Sequence, residues 1–267
     1  MLQSLYKERF LVKLSEKILL AFCKEDQGTV KASYQDEYTD SVPSDTLKFL
    51  DPDMVRRIQG KSVCDFGSGA GFQAIAFARA GARFVVGIEN NNDRISFSRQ
   101  LVSRHNLSDR VDFRTDVDDE FRGQFDLVIS QNSMEHFSDP VSVMMSMKSL
   151  LSPDGKIVVS FGPPWFAPYG GHMYYFTKLP WVHLLFPEPT VMAVRSRFRR
   201  DGAVRYEEVE AGLNKMSVER FERIVRACGL KVSYKRYDCV KGLNFLGDIP
   251  LVRELFINHI TCILTRE

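Results

Sequence analysis

Val63-Cys64-Asp65-Phe66-Gly67-Ser68-Gly69-Ala70-Gly71-Phe72 decides how the chain reads: an apolar stretch ends around an acid, and glycine then recurs at every second position. Residues 62–66 have the short apolar character of a buried strand, and 73–80 are alanine-rich like a helix, which places the glycines in a tight strand-to-helix turn. Such a turn brings backbone close to a ligand, and a side chain at Gly67 or Gly69 would take up the ligand's space. A nucleotide-type ligand is therefore expected. Dinucleotide loops of the form G-x-G-x-x-G are disfavoured, because the third glycine would fall at Phe72.

A second carboxylate closes the next apolar strand, Phe84-Val85-Val86-Gly87-Ile88-Glu89, where it can reach ribose hydroxyls. Residues 110–116 read as a third strand followed by an acid, 125–130 as a fourth, and 150–159 as a helix end, a turn and a fifth strand. With D-x-G-x-G-x-G after the first strand, this order of landmarks resembles the class I S-adenosylmethionine-dependent methyltransferases over roughly residues 61–161. The resemblance implies an α/β fold, a doubly wound and mostly parallel seven-stranded sheet, with S-adenosylmethionine as cofactor and S-adenosylhomocysteine as product. The ligand crevice of such a sheet lies outside the carboxyl ends of its strands. The cofactor residues it implies are Asp65, Gly67, Ser68, Gly69 and Gly71 in the turn, and Glu89 and Asn90 after the second strand. Asp116 and Val117 would lie near the adenine, with Ser130 and Gln131 at the end of the fourth strand.

The Met134-Glu135-His136-Phe137 corner resembles ubiquinone-pathway O-methyltransferases, in which an E-x-x-E-H segment can hold a divalent cation. Here Asn132 replaces the first acid, and Mg²⁺ prefers several oxygen ligands, so no metal is expected. Glu135 and His136 are expected to fix this loop by hydrogen bonds, with His136 bordering the crevice.

After the fifth strand, residues 162–214 break the α/β rhythm with prolines, aromatics and histidines, and they read as a substrate cap inserted into a 61–267 methyltransferase domain. Gly170 and Gly171 permit a sharp turn that aims His172 at the crevice, while Trp165, Tyr169, Tyr174 and Tyr175 can line an amphipathic pocket. His172 is the first candidate base and His136 the second; a base matters most for an alcohol and less for a phenol, whose pKa is near ~10. His183 is expected to be a hydrogen-bonded core residue. Arg195, Arg197, Arg199, Arg200 and Arg205 against Asp201 give a local net charge of +4. That run reads as a solvated face, and its functional alternative is a set of forks for a phosphate or carboxylate. Residues 217–228 restart a capped helix, and strands follow near 230–237 and 258–265.

Residues 1–60 read as a helical extension or lid. Leu2, Leu5, Phe10, Leu11, Leu14, Ile18, Leu19 and Phe22 recur near helical spacing, so this helix should bury a face on the domain or on a second copy in a homo-oligomer, rather than on a membrane surface, since its polar face is not especially basic. Tyr34 and Tyr38 favour an ordered lid over the cofactor for 26–45, against a mobile linker. The 267 residues, 44% of them hydrophobic, fit one enzyme-sized α/β unit. With 36 basic and 34 acidic residues the chain has no global nucleic-acid signature. The five cysteines are scattered without C-x-x-C spacing, which fits a reducing cytoplasm and neither a disulfide framework nor a zinc site. The charged N-terminus is unlike a signal peptide, and no apolar run is long enough to span a bilayer. The expected activity is in-line methyl transfer to a small-molecule or glycan-type acceptor, at a hydroxyl oxygen. Two other readings stand beside it: a non-catalytic methyltransferase-like subunit that binds a partner, and an RNA methyltransferase, for which RNA affinity would depend strongly on salt.

Overall fold

β1 (Ser62–Phe66) is buried along its whole length and runs parallel to both of its neighbours, β2 (Phe84–Ile88) and β4 (Phe125–Gln131). It belongs to a computed structural model that describes residues 13–24, 50–209, 211–250 and 252–267. Successive side chains of a strand point to opposite faces. Val63 and Val85 accordingly join the apolar cluster on one side of the sheet, and Cys64 and Val86 the cluster on the other. A strand buried on both faces does not alternate apolar with polar residues, which is why β2 reads as an apolar run and β1 as one broken only by Ser62 and Asp65.

β3 (Val111–Arg114), β5 (Leu151–Phe161), β6 (Leu230–Cys239) and β7 (Ile257–Arg266) complete a seven-stranded sheet of order β3-β2-β1-β4-β5-β7-β6. β7 is antiparallel to both β5 and β6. The order reverses between β1 and β4, and the crevice beyond the carboxyl ends of those two strands is where such sheets bind ligands.

The helices are α1 (residues 13–21), α2 (Met54–Ile58), α3 (Phe72–Arg79), α4 (Asn92–Arg104), α5 (Pro140–Leu150), α6 (Val182–Leu185), α7 (Glu188–Arg195), α8 (Val218–Ala227) and α9 (Arg253–Phe256). Side-chain caps start α4, α5 and α8: Asn91, Asp139 and Ser217 each accept backbone N–H groups that have no partner inside the helix. α3 and α4 pack on the face that holds Val63, and α5 and α8 on the face that holds Cys64. Among the described residues no helix is long and apolar enough to cross a membrane.

Residues 162–214 hold α6 and α7 and build a third apolar cluster around Met173, Phe176, Val191 and Tyr206. Leu19 of α1 belongs to that cluster, Ser15 meets the Thr190 hydroxyl at 3.0 Å, and the Thr177 hydroxyl donates to the Phe22 carbonyl. The described part of the N-terminal helix is thus covered by the insertion, while Leu14, Ile18 and Phe22 on its other side are exposed. The expected lid over 26–45, with Tyr34 and Tyr38, lies outside the described residues, as do Leu2 to Leu11 of the helix.

The fit of β2 under the glycine turn depends on Gly87. A Cβ there would lie 2.5 Å from Cδ1 of Phe113 and 2.8 Å from Oγ of Ser68. Gly87→Ala should therefore destabilise the protein by about 1–3 kcal/mol through overpacking. Chemical denaturation measures this, and an unchanged midpoint would contradict the close approach of β2, β3 and the turn.

Candidate functional site

The turn after β1 is fastened to β2. Gly67 and Ser68 both donate their N–H groups to the Ile88 carbonyl, at 2.9 and 3.0 Å, and Gly71 donates to Ser68 at 2.9 Å. Gly67 and Gly69 have φ of +81° and +54°, a region costly for residues with a Cβ. They differ in surroundings. A Cβ at Gly67 would meet Oγ of Ser133 at 2.7 Å, whereas one at Gly69 meets nothing within 4 Å. Protein crowds the turn from below at Gly67, and at Gly69 the backbone faces open space.

Glu89 ends β2 and is only 7% exposed, yet both of its oxygens are occupied: Oε2 accepts from the Gly69 N–H at 2.9 Å and Oε1 from the Asn91 N–H at 3.0 Å. Arg94 lies 3.8 Å away. Asn91 caps α4, so the acid, the turn and the helix start form one hydrogen-bonded unit. Asn90 beside it is exposed. Asp65 sits beneath the turn. Burial, then the charge of Glu89, push its carboxyl up to about 7, partly offset by a backbone hydrogen bond from Ala74 in the first turn of α3. Its Oδ2 is buried without a partner, as are the hydroxyls of Ser68 and Ser130. Orphaned buried polar atoms are rare and point to an absent partner. Asp116 is bonded to the Val117 N–H at 2.7 Å, Val117 packs on the core, and Gln131 meets the Gln73 amide. Donors, acceptors and open space around Gly69 fit a ligand bearing a polar sugar and a charged tail.

A second group of residues lies where the loop after β4 meets the insertion. Glu135 is 2% exposed and accepts from the Gly162 N–H at 3.3 Å; burial raises its pKa, and the neighbouring His136 opposes that shift. His136 is half-buried, and its Nδ1 lies 2.7 Å from the Gly212 carbonyl. The rings of His136 and His172 meet edge to face with centroids 5.6 Å apart. Gly171 packs tightly ahead of His172: a Cβ at Gly171 would meet Cβ of His183 at 2.7 Å. His172 takes a φ of +55°, its Nε2 is buried without a partner, and burial followed by the repulsion of His136 lowers its pKa to about 4.

The four aromatic candidates find their ring partners within the insertion. Trp165 lies edge-on to His183 and Tyr206, and His183 bonds through Nε2 to the Trp165 carbonyl, as a core residue would. Tyr169 and Tyr174 pair with each other, and Tyr175 lies under the Arg199 guanidinium at 4.8 Å. Arg197, Arg200 and Arg205 of the arginine run are exposed, as on a solvated face, and the run departs from that reading at Arg195. Arg195 is 4% exposed and forks onto Asp201, which it holds well below the usual carboxylate range. With Arg199 over Tyr175 and Arg197 3.9 Å from Glu16, three of these cations contribute to holding the insertion together. A count of charges cannot distinguish a buried fork from an exposed one.

Asn132, in place of the first acid, has its amide oxygen 3.3 Å from Nε2 of His259. Among the described residues no group of three or more His, Cys, Asp or Glu side chains is placed to hold a metal ion. Sequence reasoning missed Asn91, Gly212 and Asn214. Only Asn91 carries a local signal, as a capping residue ahead of a helix.

Residues 58–162 match a family model described as a methyltransferase domain. The ubiquinone biosynthesis O-methyltransferase of Actinobacillus pleuropneumoniae serotype 5b is 36% identical over 109 residues, which cover 38% of this chain and 45% of that protein. The likeness thus spans less than half the length of this relative. Among solved structures, geranyl diphosphate C-methyltransferase from Streptomyces coelicolor A3(2) superposes with a TM-score of 0.57 at 14% identity, over 84% of this chain and 79% of that one. The [4+2]-cyclase SpnF superposes with a TM-score of 0.54 at 16% identity, over 82% and 80%. Likeness at such identities concerns the fold, and function must be argued from the site.

Asp65 gives the site a pH signature. Its folded pKa of about 7 lies above the unfolded value, so its stabilising contribution is full below about pH 4 and is lost as pH rises towards 7. Asp65→Asn removes that titration. Unfolding measured across this window should show the variant gaining stability relative to wild type as pH rises, and a constant difference would contradict a protonated native Asp65.

Proposed function

We propose that this chain, which carries a class I S-adenosylmethionine-dependent methyltransferase domain over residues 58–162, methylates a hydroxyl oxygen of a small-molecule or glycan-type acceptor. The observation that carries the reading is the turn itself: open space at Gly69, flanked by the orphaned Asp65 oxygen and by Glu89. When bound, S-adenosylmethionine supplies a sulfonium-activated methyl carbon, whose carbon–sulfur bond breaks with its electron pair passing to sulfur. Glu89 would hold the ribose hydroxyls, with Asn90 alongside. Gly67, Ser68, Gly69 and Gly71 would line the tail with Asp65 beneath them, Asp116 and Val117 would flank the adenine, and Ser130 and Gln131 would close the inner end.

The residues that act on the acceptor belong to the second group. Alignment of two reactants can lower a barrier by about 7–11 kcal/mol. A general base supplies less, about 3–5 kcal/mol from factors of 10²–10⁴. The shape of the crevice therefore comes first, and in this reading Trp165, Tyr169, Tyr174 and Tyr175 build its wall. His172, with a pKa near 4, stays neutral and suits orienting the acceptor through its unpartnered Nε2. Proton removal is assigned to His136, the half-buried imidazole beside it, whose Nδ1 is held by the Gly212 carbonyl. The acceptor's proton would pass to Nε2 of His136 as the new oxygen–carbon bond forms. The O-methyltransferase name of the relative supports oxygen as the target. Neither histidine requires a metal for this role.

Calorimetry with S-adenosylhomocysteine tests the cofactor half. Wild type should bind, Gly69→Val should abolish binding by filling the ligand's space, and Glu89→Ala should weaken it by roughly 1.5–3 kcal/mol, the worth of hydrogen bonds to a charged group. Wild-type affinity in both variants would overturn the assignment. Binding without turnover on any hydroxyl acceptor would instead favour the partner-binding subunit.

A further inference from the structure

Asn214 fastens the insertion to the loop after β4. Its Nδ2 donates to the carbonyls of Met134 and Phe137, at 2.9 and 2.8 Å, and its backbone N–H donates to that of Glu135 at 2.9 Å. Three loop positions, 134, 135 and 137, are thereby bridged around His136. The amide can sit only one way round, because a flipped Asn214 would set its oxygen against two carbonyl oxygens. Two residues earlier Gly212, at a φ of +68°, turns its carbonyl onto Nδ1 of His136 at 2.7 Å. A carbonyl only accepts, so the neutral imidazole carries its hydrogen on Nδ1 and its lone pair on Nε2.

We infer that Asn214 is a positioning residue for the methyl transfer: by holding the His136 loop against Gly212 it fixes the Nδ1–H tautomer and presents the lone pair of Nε2 to the acceptor hydroxyl. The inference rests on the role of His136 proposed above. Asn214 does not touch the reacting atoms; it acts through the ring whose tautomer it sets. Without its two donors the loop is free to part from Gly212, and His136 can then place its hydrogen on Nε2, where it blocks proton removal.

The test is a long-range ¹H–¹⁵N correlation spectrum of the full chain labelled at histidine, which assigns the tautomer without any turnover. Wild-type His136 should be the Nδ1–H form. Asn214→Ala should show both tautomers and a kcat lower by about 10²-fold, within the range of general-base effects, with unchanged affinity for S-adenosylhomocysteine. Asn214→Asp keeps the size but loses both donors, and should behave alike. An Nε2–H tautomer in wild type overturns the inference, and that measurement stands even where the variants do not fold. Retention of the Nδ1–H form and of kcat in Asn214→Ala overturns it as well. A tautomer shift in the variant of a protein that methylates no hydroxyl would uphold the tautomer lock and fail the functional reading alone.

Discussion

The carboxylate of Glu89 is the interaction on which the site depends. A buried carboxylate is costly unless its oxygens are hydrogen-bonded, and Glu89 resolves this by accepting one N–H from the glycine turn and one from the start of α4. Those two bonds tie β1, β2 and α4 together at the end of the sheet. The turn can then follow its path only with glycine at Gly67 and Gly71, where any Cβ would run into Ser133, or into Phe113 and Ser98. Asp65, 1% exposed and beside a second carboxylate, is left with a raised pKa and an unsatisfied oxygen. The fold therefore concentrates polar groups lacking partners at one place, and such groups describe a ligand by what they lack.

The second half of the site is built differently. No strand carries His172 or Asn214; the insertion brings them in, and its own stability comes from an apolar cluster, the Arg195–Asp201 fork and α1. The insertion meets the loop after β4 through the carbonyls of Met134, Glu135 and Phe137 and through the side chains of Glu135 and His136, so the loop and the insertion hold each other in place. A site divided between a rigid sheet edge and a separately packed insertion lets the cofactor half stay constant while the acceptor half varies.

The sequence was most legible where function follows from a local pattern. An acid after an apolar strand and glycines at alternate positions mark the turn, Glu89 and the sheet, because each is a short-range consequence of strand geometry. Ser217 likewise announces α8 by capping it. The clamp at Asn214 was not legible: its partners lie 77 and 80 positions away, and no periodicity records such a contact. The arginine run shows the same limit, since composition supplies the charges of 195–205 but not the burial of Arg195. For α1 the spacing of Leu14, Ile18, Leu19 and Phe22 announces a helix, yet only packing shows that Leu19 faces the insertion and the other three do not.

Hydrogen–deuterium exchange of the full chain with and without S-adenosylhomocysteine tests the central claim most directly, because it reads the cofactor site amide by amide. The account predicts slower exchange on binding at Gly67 to Gly71 and at residues 89–91, the segments that border the open space at Gly69. Unchanged exchange there in the presence of saturating ligand, or protection confined to the far edge strand β6, would contradict it.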